Sequence, residues 1–375
     1  MRVKTVLTRC RTCVYPTTKP DLLFEDGQCA ACRTYDRRNA IDWPQRFSEL
    51  LTLRSYAKKN RHGFDCIVPS SGGKDSTFQV VTLMEAGFTP LVVTASTCYL
   101  TELGRRNIDN LRLIAKTLEI DPDYAVRREL NVLGQEMVGD ISWPEHAAIF
   151  SVPYRVALEE GIGLIFYGEN PQNEYGGPID SEAAAQMTKR WVSEFGGLLG
   201  LRPQDFVGLH GITQADMDYY MLPSESDLER VQAFFLGQFI PWDAQRNATV
   251  AIQNGLRFDL PSDANWWPWE NLDNAMTGLH DHGMYRKYGY GRLAGQVSVD
   301  VRRDRMDRPT AMELVRKFDG LFPEVYAGVP LDNILDRLGK RRDWLFDTLD
   351  FHTSWDIFSE RSQQMGELRP ILWEF

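Results

Sequence analysis

The chain has 375 residues, of which 43% are hydrophobic, so it can bury a sizeable core and has room for two domains. Its 42 Lys and Arg against 52 Asp and Glu leave a formal charge of −10, which disfavours a nucleic-acid partner, because neutralising phosphates needs clustered Lys and Arg. No stretch approaches the roughly 20 apolar residues of a membrane span, and the first residues lack a secretory apolar run, so the expectation is a cytoplasmic protein.

In chain order, the first signal is four cysteines in two pairs. Cys10 and Cys13 are followed, after 15 intervening residues, by Cys29 and Cys32. Four thiolates at this spacing describe a closed, structural zinc site. The intervening stretch carries Pro16, Pro20 and Gly27, which is turn chemistry, so this segment is expected to need metal to fold. A reducing compartment disfavours disulfides; a redox or iron–sulfur role is the remaining alternative. Residues 33–63 read as helix plus connector.

Then a regular alternation begins. Cys66-Ile67-Val68 fits a buried strand. A glycine-rich turn follows, and Thr77, Val80, Val81 and Met84 recur at helical spacing up to a stop at Gly87. Leu91-Val92-Val93-Thr94 is a second strand. Ile108, Leu111, Ala115 and Leu118 form a second helical stripe, and Tyr124-Ala125-Val126 a weaker third strand. Residues 145–160 read as helix interrupted near Pro153. Leu164-Ile165-Phe166-Tyr167 is the next strand, and 234–242 holds a late one. The remainder reads as largely helical. Strands alternating with helices predict an α/β fold with a doubly wound, mainly parallel sheet, an N-terminal zinc-binding segment and a mainly helical C-terminal region. The expected division is 1–40 for the cysteine segment, 41–260 for the α/β domain and 261–375 for the helical region. In such sheets ligands sit beyond the carboxyl ends of the strands. The loops 69–76, 95–99 and 168–177 all leave from that edge.

The first of these loops carries phosphate chemistry. Gly72 and Gly73 allow close backbone approach to an anion, and the following helix offers free N–H groups and its positive end. Ser70, Ser71, Ser76 and Thr77 add hydroxyls, Lys74 adds a positive charge, and Asp75 is placed to hold Mg²⁺ beside a polyphosphate. A Walker A loop needs Gly where Val68 stands and Ser or Thr where Asp75 stands. Ser-Gly-Gly-x-Asp-Ser after an apolar strand instead resembles the pyrophosphatase loop (PP-loop) of N-type ATP pyrophosphatases, the adenine nucleotide alpha hydrolase-like group, which cleave ATP to AMP and pyrophosphate. A helix N-cap with two turn glycines is the bland alternative.

A narrower resemblance runs along most of the chain. Ser71-Gly72-Gly73-Lys74-Asp75-Ser76-Thr77, Leu100-Thr101-Glu102-Leu103-Gly104-Arg105 and Gly168-Glu169-Asn170-Pro171-Gln172-Asn173-Glu174-Tyr175-Gly176 resemble the N-acetyl sugar amidotransferases of bacterial surface-polysaccharide and nonulosonic acid pathways. So do Phe239-Ile240-Pro241-Trp242-Asp243, Asn271-Leu272-Asp273-Asn274, Gly278-Leu279-His280-Asp281 and Tyr288-Gly289-Tyr290-Gly291-Arg292, together with the cysteine pairs. The resemblance implies conversion of the acetamido group of a nucleotide-linked sugar to an acetamidino group, using ATP, Mg²⁺ and a structural Zn²⁺.

Around this frame, Glu169 and Asn170 follow a buried strand at the active edge and are candidates to orient Mg²⁺, ammonia or the acetamido group; turn capping is the alternative. Thr94 and Ser96 stand either as adenosine contacts or as ordinary strand-end polarity. Glu174, Tyr175, His280 and Arg292 are the substrate-side candidates, with His280 and Asp281 a possible acid–base pair. Trp266, Trp267 and Trp269 read as core or interface aromatics more readily than as a sugar platform. Arg302, Arg303, Arg305 and Arg308 are interleaved with Asp300, Asp304 and Asp307, the pattern of a salt-bridged helix face. Two other functions fit parts of the pattern. A tRNA-thiolating enzyme would need further cysteines beyond Cys66 and Cys98, and a non-catalytic nucleotide-binding scaffold would not need the intact Lys74-Asp75-Ser76. Cys66 and Cys98 lack the setting of a glutaminase nucleophile, and the resemblance implies a separate glutaminase partner that supplies ammonia. The purified chain given ATP, sugar and glutamine should therefore release no glutamate at a rate matching amidine formation, which a glutamate assay checks.

Overall fold

The computed structural model describes residues 7–177, 186–259, 264–358 and 368–370; the expected boundary at 260–261 lies outside them. Near the N-terminus a short antiparallel pair, β1 (Phe24–Glu25) and β2 (Gln28–Cys29), leads into α1 (Ala30–Arg37) and α2 (Trp43–Tyr56). The central sheet has five parallel strands: β3 (Cys66–Pro69), β4 (Pro90–Ala95), β5 (Thr117–Ile120), β6 (Leu164–Tyr167) and β7 (Gln232–Phe235). Their spatial order is β5-β4-β3-β6-β7. Helices α3 (Lys74–Glu85), α4 (Glu102–Ile114), α5 (Tyr124–Val138) and α6 (Trp143–Glu160) join the first four strands, and α7 (Pro171–Tyr175) follows β6. The chain goes one way from β3 to β4 and β5, then returns to lay β6 on the other side of β3. Strand order therefore reverses beside β3, and the carboxyl ends of β3 and β6 open the crevice where α/β sheets hold ligands.

Strand periodicity explains the layering. Ile67, Leu91, Val93, Ile165, Ala233 and Phe235 point to one face, where they pack with Leu130, Leu133, Trp143, Ala147 and Val156 of α5 and α6. Cys66, Val68, Val92, Leu164, Phe166 and Phe234 point to the other, against Leu50, Phe78, Val80, Leu83 and Leu111 of α2, α3 and α4. With both faces covered, the strands need continuous apolar runs, and they have them.

Four expectations are corrected. The third strand is Thr117–Ile120, and Tyr124 to Val126 open α5, because the Asp123 carboxylate accepts from the Val126 N–H and caps a helix there. Leu118 accordingly belongs to a strand and not to the helical stripe. Pro153 does not interrupt α6, which runs unbroken from Trp143 to Glu160. A proline leaves the carbonyl four residues back without its helical donor; here the Tyr167 hydroxyl donates to Ile149 O at 3.3 Å and fills that place. On α3 the buried face runs through Thr77, Val80 and Leu83, with Met84 43% exposed.

The helices after residue 276 dock in two places. Ala275, Met276, Leu279 and the Leu331–Leu338 helix pack on Val132, Ile141 and Cys98 beside α5 and α6. The helices Arg292–Arg302 and Arg308–Phe318 pack on the cysteine segment, where Leu293, Ala294, Val297 and Ala311 meet Val14, Tyr15 and the four cysteines. No described helix is long and apolar enough to cross a membrane.

Candidate active site at the switch point

The loop between β3 and α3 is shaped by one glycine. Gly72 has φ +81°, and a Cβ there would lie 2.8 Å from the Ile108 backbone nitrogen. Gly73 is extended, and its Cβ would meet only Ser71 Oγ, at 3.5 Å. Ser70 Oγ accepts from the Gly72 N–H at 2.9 Å and donates to Ser76 Oγ at 2.8 Å, so the loop is closed on itself. Gly73 is the N-cap of α3 and offers no side-chain cap, which leaves first-turn N–H groups for an anion.

A second wall comes from far along the chain. Thr101 caps α4 through its hydroxyl, which accepts from Gly104 N and donates to Leu272 O, while Thr101 N–H donates to Asp273 O at 2.9 Å. Leu100 bridges to Asn274. A Cβ on Gly104 would come within 2.6 Å of Asp273 Cα, so the two backbones touch only because position 104 is glycine. The stretches Leu100–Arg105 and Asn271–Asn274, 166 or more residues apart, are thus two halves of one contact. Burial pushes the Asp273 carboxyl up to about 6.

Between these walls lies a cavity of about 390 Å³. Ser70, Ser71, Gly72, Gly73, Lys74, Asp75, Ser76 and Ser96 line it on the sheet side, with His280 and Arg292 on the other. Thr77, Thr94, Glu169, Asn170, Glu174 and Tyr175 do not line it. Thr77 Oγ1 donates back to Gly73 O, and Thr94 is buried in β4. Asn170 is buried, and its backbone carbonyl accepts from the Glu174 N–H. The Glu174 carboxylate is clamped by Arg38 at 2.8 Å and Arg303 at 3.1 Å. Burial opposes its charge, but these arginines hold its pKa down to about 2. Tyr175 is packed between the cysteine core and the Trp267–Val299 cluster, and burial pushes its hydroxyl well up.

The charge centre of the cavity is Lys74. Its buried ammonium donates to Asp75 Oδ2 at 2.6 Å and to Glu270 Oε1 at 2.9 Å. Burial works against its charge, yet Asp75 and Glu270 raise its pKa well above the ordinary lysine range. Asn247 donates to the other Asp75 oxygen at 3.0 Å. Glu169 sits close enough that burial, with Asp75 adding, pushes its carboxyl up to about 8. One lysine cannot neutralise three carboxylates, so Glu169 retains its proton near neutral pH. Glu270 Oε2, Gln79 Oε1 and Thr97 Oγ1 are buried on cavity-lining residues without a hydrogen-bond partner. The Asp75 carboxylate and the unpartnered Glu270 Oε2 on the cavity wall suit a hard divalent cation such as Mg²⁺.

Neither Glu270 nor Asn247 was singled out from sequence. Each lies within four residues of a stretch that was, namely Asn271–Asn274 and Phe239–Asp243. Asp140 and His146 were also missed, and no sequence pattern marks them. Around the cavity, Arg292 is held by Asp281 through two bonds of 2.6 and 2.7 Å. His280 pairs with Asp140 at 2.7 Å, and its Nε2 is 4.0 Å from Asp281, so its partner is not the neighbour in sequence. Trp266 and Trp267 both donate to Asp300, while Trp269 lines the cavity. The arginine run reaches outward to other elements: Arg303 and Arg305 to Asp243, and Arg308 to the carbonyls of Cys10 and Cys13.

The four cysteines form a second, separate centre. Their sulfurs lie within 4.8 Å of one another, with Cys10–Cys32 at 3.9, Cys13–Cys29 at 3.7 and Cys29–Cys32 at 3.6 Å. Tetrahedral zinc at ~2.3 Å from each sulfur requires about 3.8 Å between sulfurs. All four are free thiols and buried, and the spacing fits a tetrahedral metal.

The strand order, the loop and the second wall define a parallel α/β domain whose cavity is completed by a helical C-terminal region. Residues 257–369 match the family model described as "LPS biosynthesis protein WbpG-like, C-terminal domain". The match covers 113 of the 375 residues, less than a third of the chain. A solved structure of NMN synthetase from Francisella tularensis is similar at 13% identity, over 59% of this chain and 98% of that one, with a TM-score of 0.28. So low a score carries no argument, and the fold rests on the strand order. No curated protein matches the chain.

The loop geometry separates its two glycines. Gly72→Ala should lower stability by ~1–3 kcal/mol through a positive φ and a backbone collision, whereas Gly73→Ala should melt like the wild type. Thermal denaturation of the two variants checks this.

Proposed function

We propose that the chain is an ATP-dependent amidotransferase acting on a nucleotide-linked N-acetyl sugar. It would adenylate the acetamido oxygen, release pyrophosphate, and add ammonia to give an acetamidino sugar and AMP. The observation that carries this reading is one cavity that joins the Ser70–Ser76 loop to Glu270, His280 and Arg292 of the WbpG-like part. A family described by lipopolysaccharide biosynthesis supports a sugar as substrate, and a loop of this form supports ATP.

The chemistry is coherent with the residues. An amide carbonyl is a poor electrophile and its oxygen cannot leave. Attack by that oxygen on the α-phosphorus of ATP forms a P–O bond and expels pyrophosphate. The oxygen can then depart as AMP once ammonia has added at carbon. The loop N–H groups, the serine hydroxyls and Lys74 would hold the triphosphate. Asp75, with Glu169 and Glu270, would hold Mg²⁺, whose charge stabilises the departing pyrophosphate. A cation among these carboxylates would draw the proton off Glu169. Asn170 would fix the loop that carries Glu169, and Ser96 would meet the adenosine. Ammonia would come from a separate glutaminase. On this reading, residues 1–40 are a zinc-bound buttress, 41–260 the ATP domain and 261–375 the substrate and partner region. Sulfur transfer to tRNA is disfavoured: burial pushes the Cys66 thiol well up and the Cys98 thiol to about 11, so neither is a ready nucleophile.

Incubation with ATP, Mg²⁺, ammonium and nucleotide-linked N-acetyl sugars should yield AMP, pyrophosphate and an amidine together. Release of ADP and phosphate would sink the adenylation. Asp75→Asn should lower turnover by at least ~10²-fold with an unchanged melting curve. Elemental analysis should find one zinc per chain in the cysteine site. Its removal by a chelator should expose the apolar face of the Arg292–Arg302 helix, read as protease cleavage near the N-terminus.

A further inference from the structure

A cluster of three side chains, Asp140, His146 and His280, borders the cavity. Asp140 follows α5 in a tight turn at Gly139, His146 is on the first turns of α6, and His280 is on the Thr277–Tyr288 helix. His146 and His280 both line the cavity. Asp140 Oδ1 is 2.7 Å from His280 Nδ1 and also accepts from the Ser142 N–H at 2.9 Å. Its other oxygen is 3.5 Å from His146 Nδ1, which is 3.3 Å from Gly197 O as well. A carboxylate and a carbonyl can only accept, so each Nδ1 carries a proton. That assignment leaves Nε2 as the lone-pair nitrogen of each neutral ring.

We propose that His280, oriented by Asp140, is the base that takes a proton from the nitrogen nucleophile at the acetamido end of the cavity. The proposal rests on the amidination reading above and deepens it. Ammonia adds its lone pair to the adenylated imidate carbon. The C–N bond forms, and the C=N electrons move onto the sugar nitrogen, which still carries the amide hydrogen and so becomes neutral. The added nitrogen now bears three hydrogens and a positive charge. Nε2 of His280 takes one of those protons. The freed pair forms the new C=N bond as the C–O bond breaks, and AMP leaves with the bonding electrons. Without the proton transfer the adduct expels ammonia instead, which is the better leaving group while it carries its positive charge.

The surroundings support this assignment. Burial pushes both imidazoles down, but the Asp140 carboxylate raises His280 above the ordinary histidine range, while His146 stays below it. Two like groups set apart in this way are suited to different tasks. Asp140 itself is held well below the ordinary carboxylate range: burial opposes its charge, and His280 and His146 outweigh it. The other charges facing His280 are Asp281 on its own helix, which favours its protonation, and Arg292, which opposes it. Lys287 faces Asp140 from the same helix. Arg292 is tied to Asp281, so the two largely cancel and Asp140 decides.

The test separates the two half-reactions in the full-length chain. Sugar-dependent ATP–pyrophosphate exchange reads adenylation, and amidine release reads capture by ammonia. His280→Gln should lower amidine formation from ammonia by ~10²-fold or more beyond any loss in exchange, and should erase the acid limb of its pH profile. Hydroxylamine, whose adduct sheds a proton to water unaided, should restore most of that loss. Asp140→Asn removes the anion that favours protonated His280, so its acid limb should move to lower pH; this variant carries the test if His280→Gln does not fold. Equal losses in both half-reactions, an unaltered pH profile or no rescue by hydroxylamine would each overturn the assignment. A wild-type chain that exchanges pyrophosphate with no acetamido sugar would instead overturn the amidination reading, and this inference with it.

Discussion

The Lys74 ammonium is buried between two carboxylates, one beside it in sequence and one 196 residues away. An unpaired ammonium at that depth would lose its proton or draw in water. Its pairing with Glu270 therefore obliges the C-terminal region to close over the glycine loop. The closure has a steric counterpart, because Gly104 lets the 271–274 backbone lie directly on the start of α4. Charge balance and close approach together create a cavity that neither region could form alone. The excess of negative charge around Lys74 then makes the same place attractive to a cation.

A second constraint ties the ends of the chain together. The cysteine segment shares its core with the Arg292–Arg302 and Arg308–Phe318 helices. Arg308 donates to two carbonyls of the cysteine loop, and Arg302 donates to Glu174 O while lying 4.0 Å from Cys13 Sγ. The Glu174 carboxylate, between Arg38 and Arg303, links this assembly to the strand end that carries Glu169. The four-cysteine cluster is thereby connected to the cavity through α7, although it contributes no group to it.

Much of the α/β architecture was legible because its signals are local. Apolar runs of four residues, a glycine loop and an apolar helical face each reflect a short-range requirement. The errors came where two local signals competed. Tyr124-Ala125-Val126 has strand propensity, but the Asp123 cap decides for helix. Pro153 would end a helix in isolation, but a tyrosine from β6 supplies the missing donor to Ile149. The arginine run was recognisable as ion-paired, yet its principal partners are Asp243, Glu174 and backbone carbonyls of other elements. For His280 the neighbouring Asp281 suggested itself, whereas the bonded partner is Asp140.

The sequence by itself determined four of the five strands, the glycine loop and the spacing of the cysteines, since each depends on residues within a few positions of one another. Tertiary structure alone decided which residues share the cavity. Glu270, Asn247, Asp140 and His146 are ordinary polar residues in their own neighbourhoods. They become functional candidates only through contacts across 140 to 196 positions, or, for His146, through an aspartate six positions away whose other oxygen holds His280. Such contacts leave no periodic trace, because a buried charge records its partner in space and not in spacing along the chain.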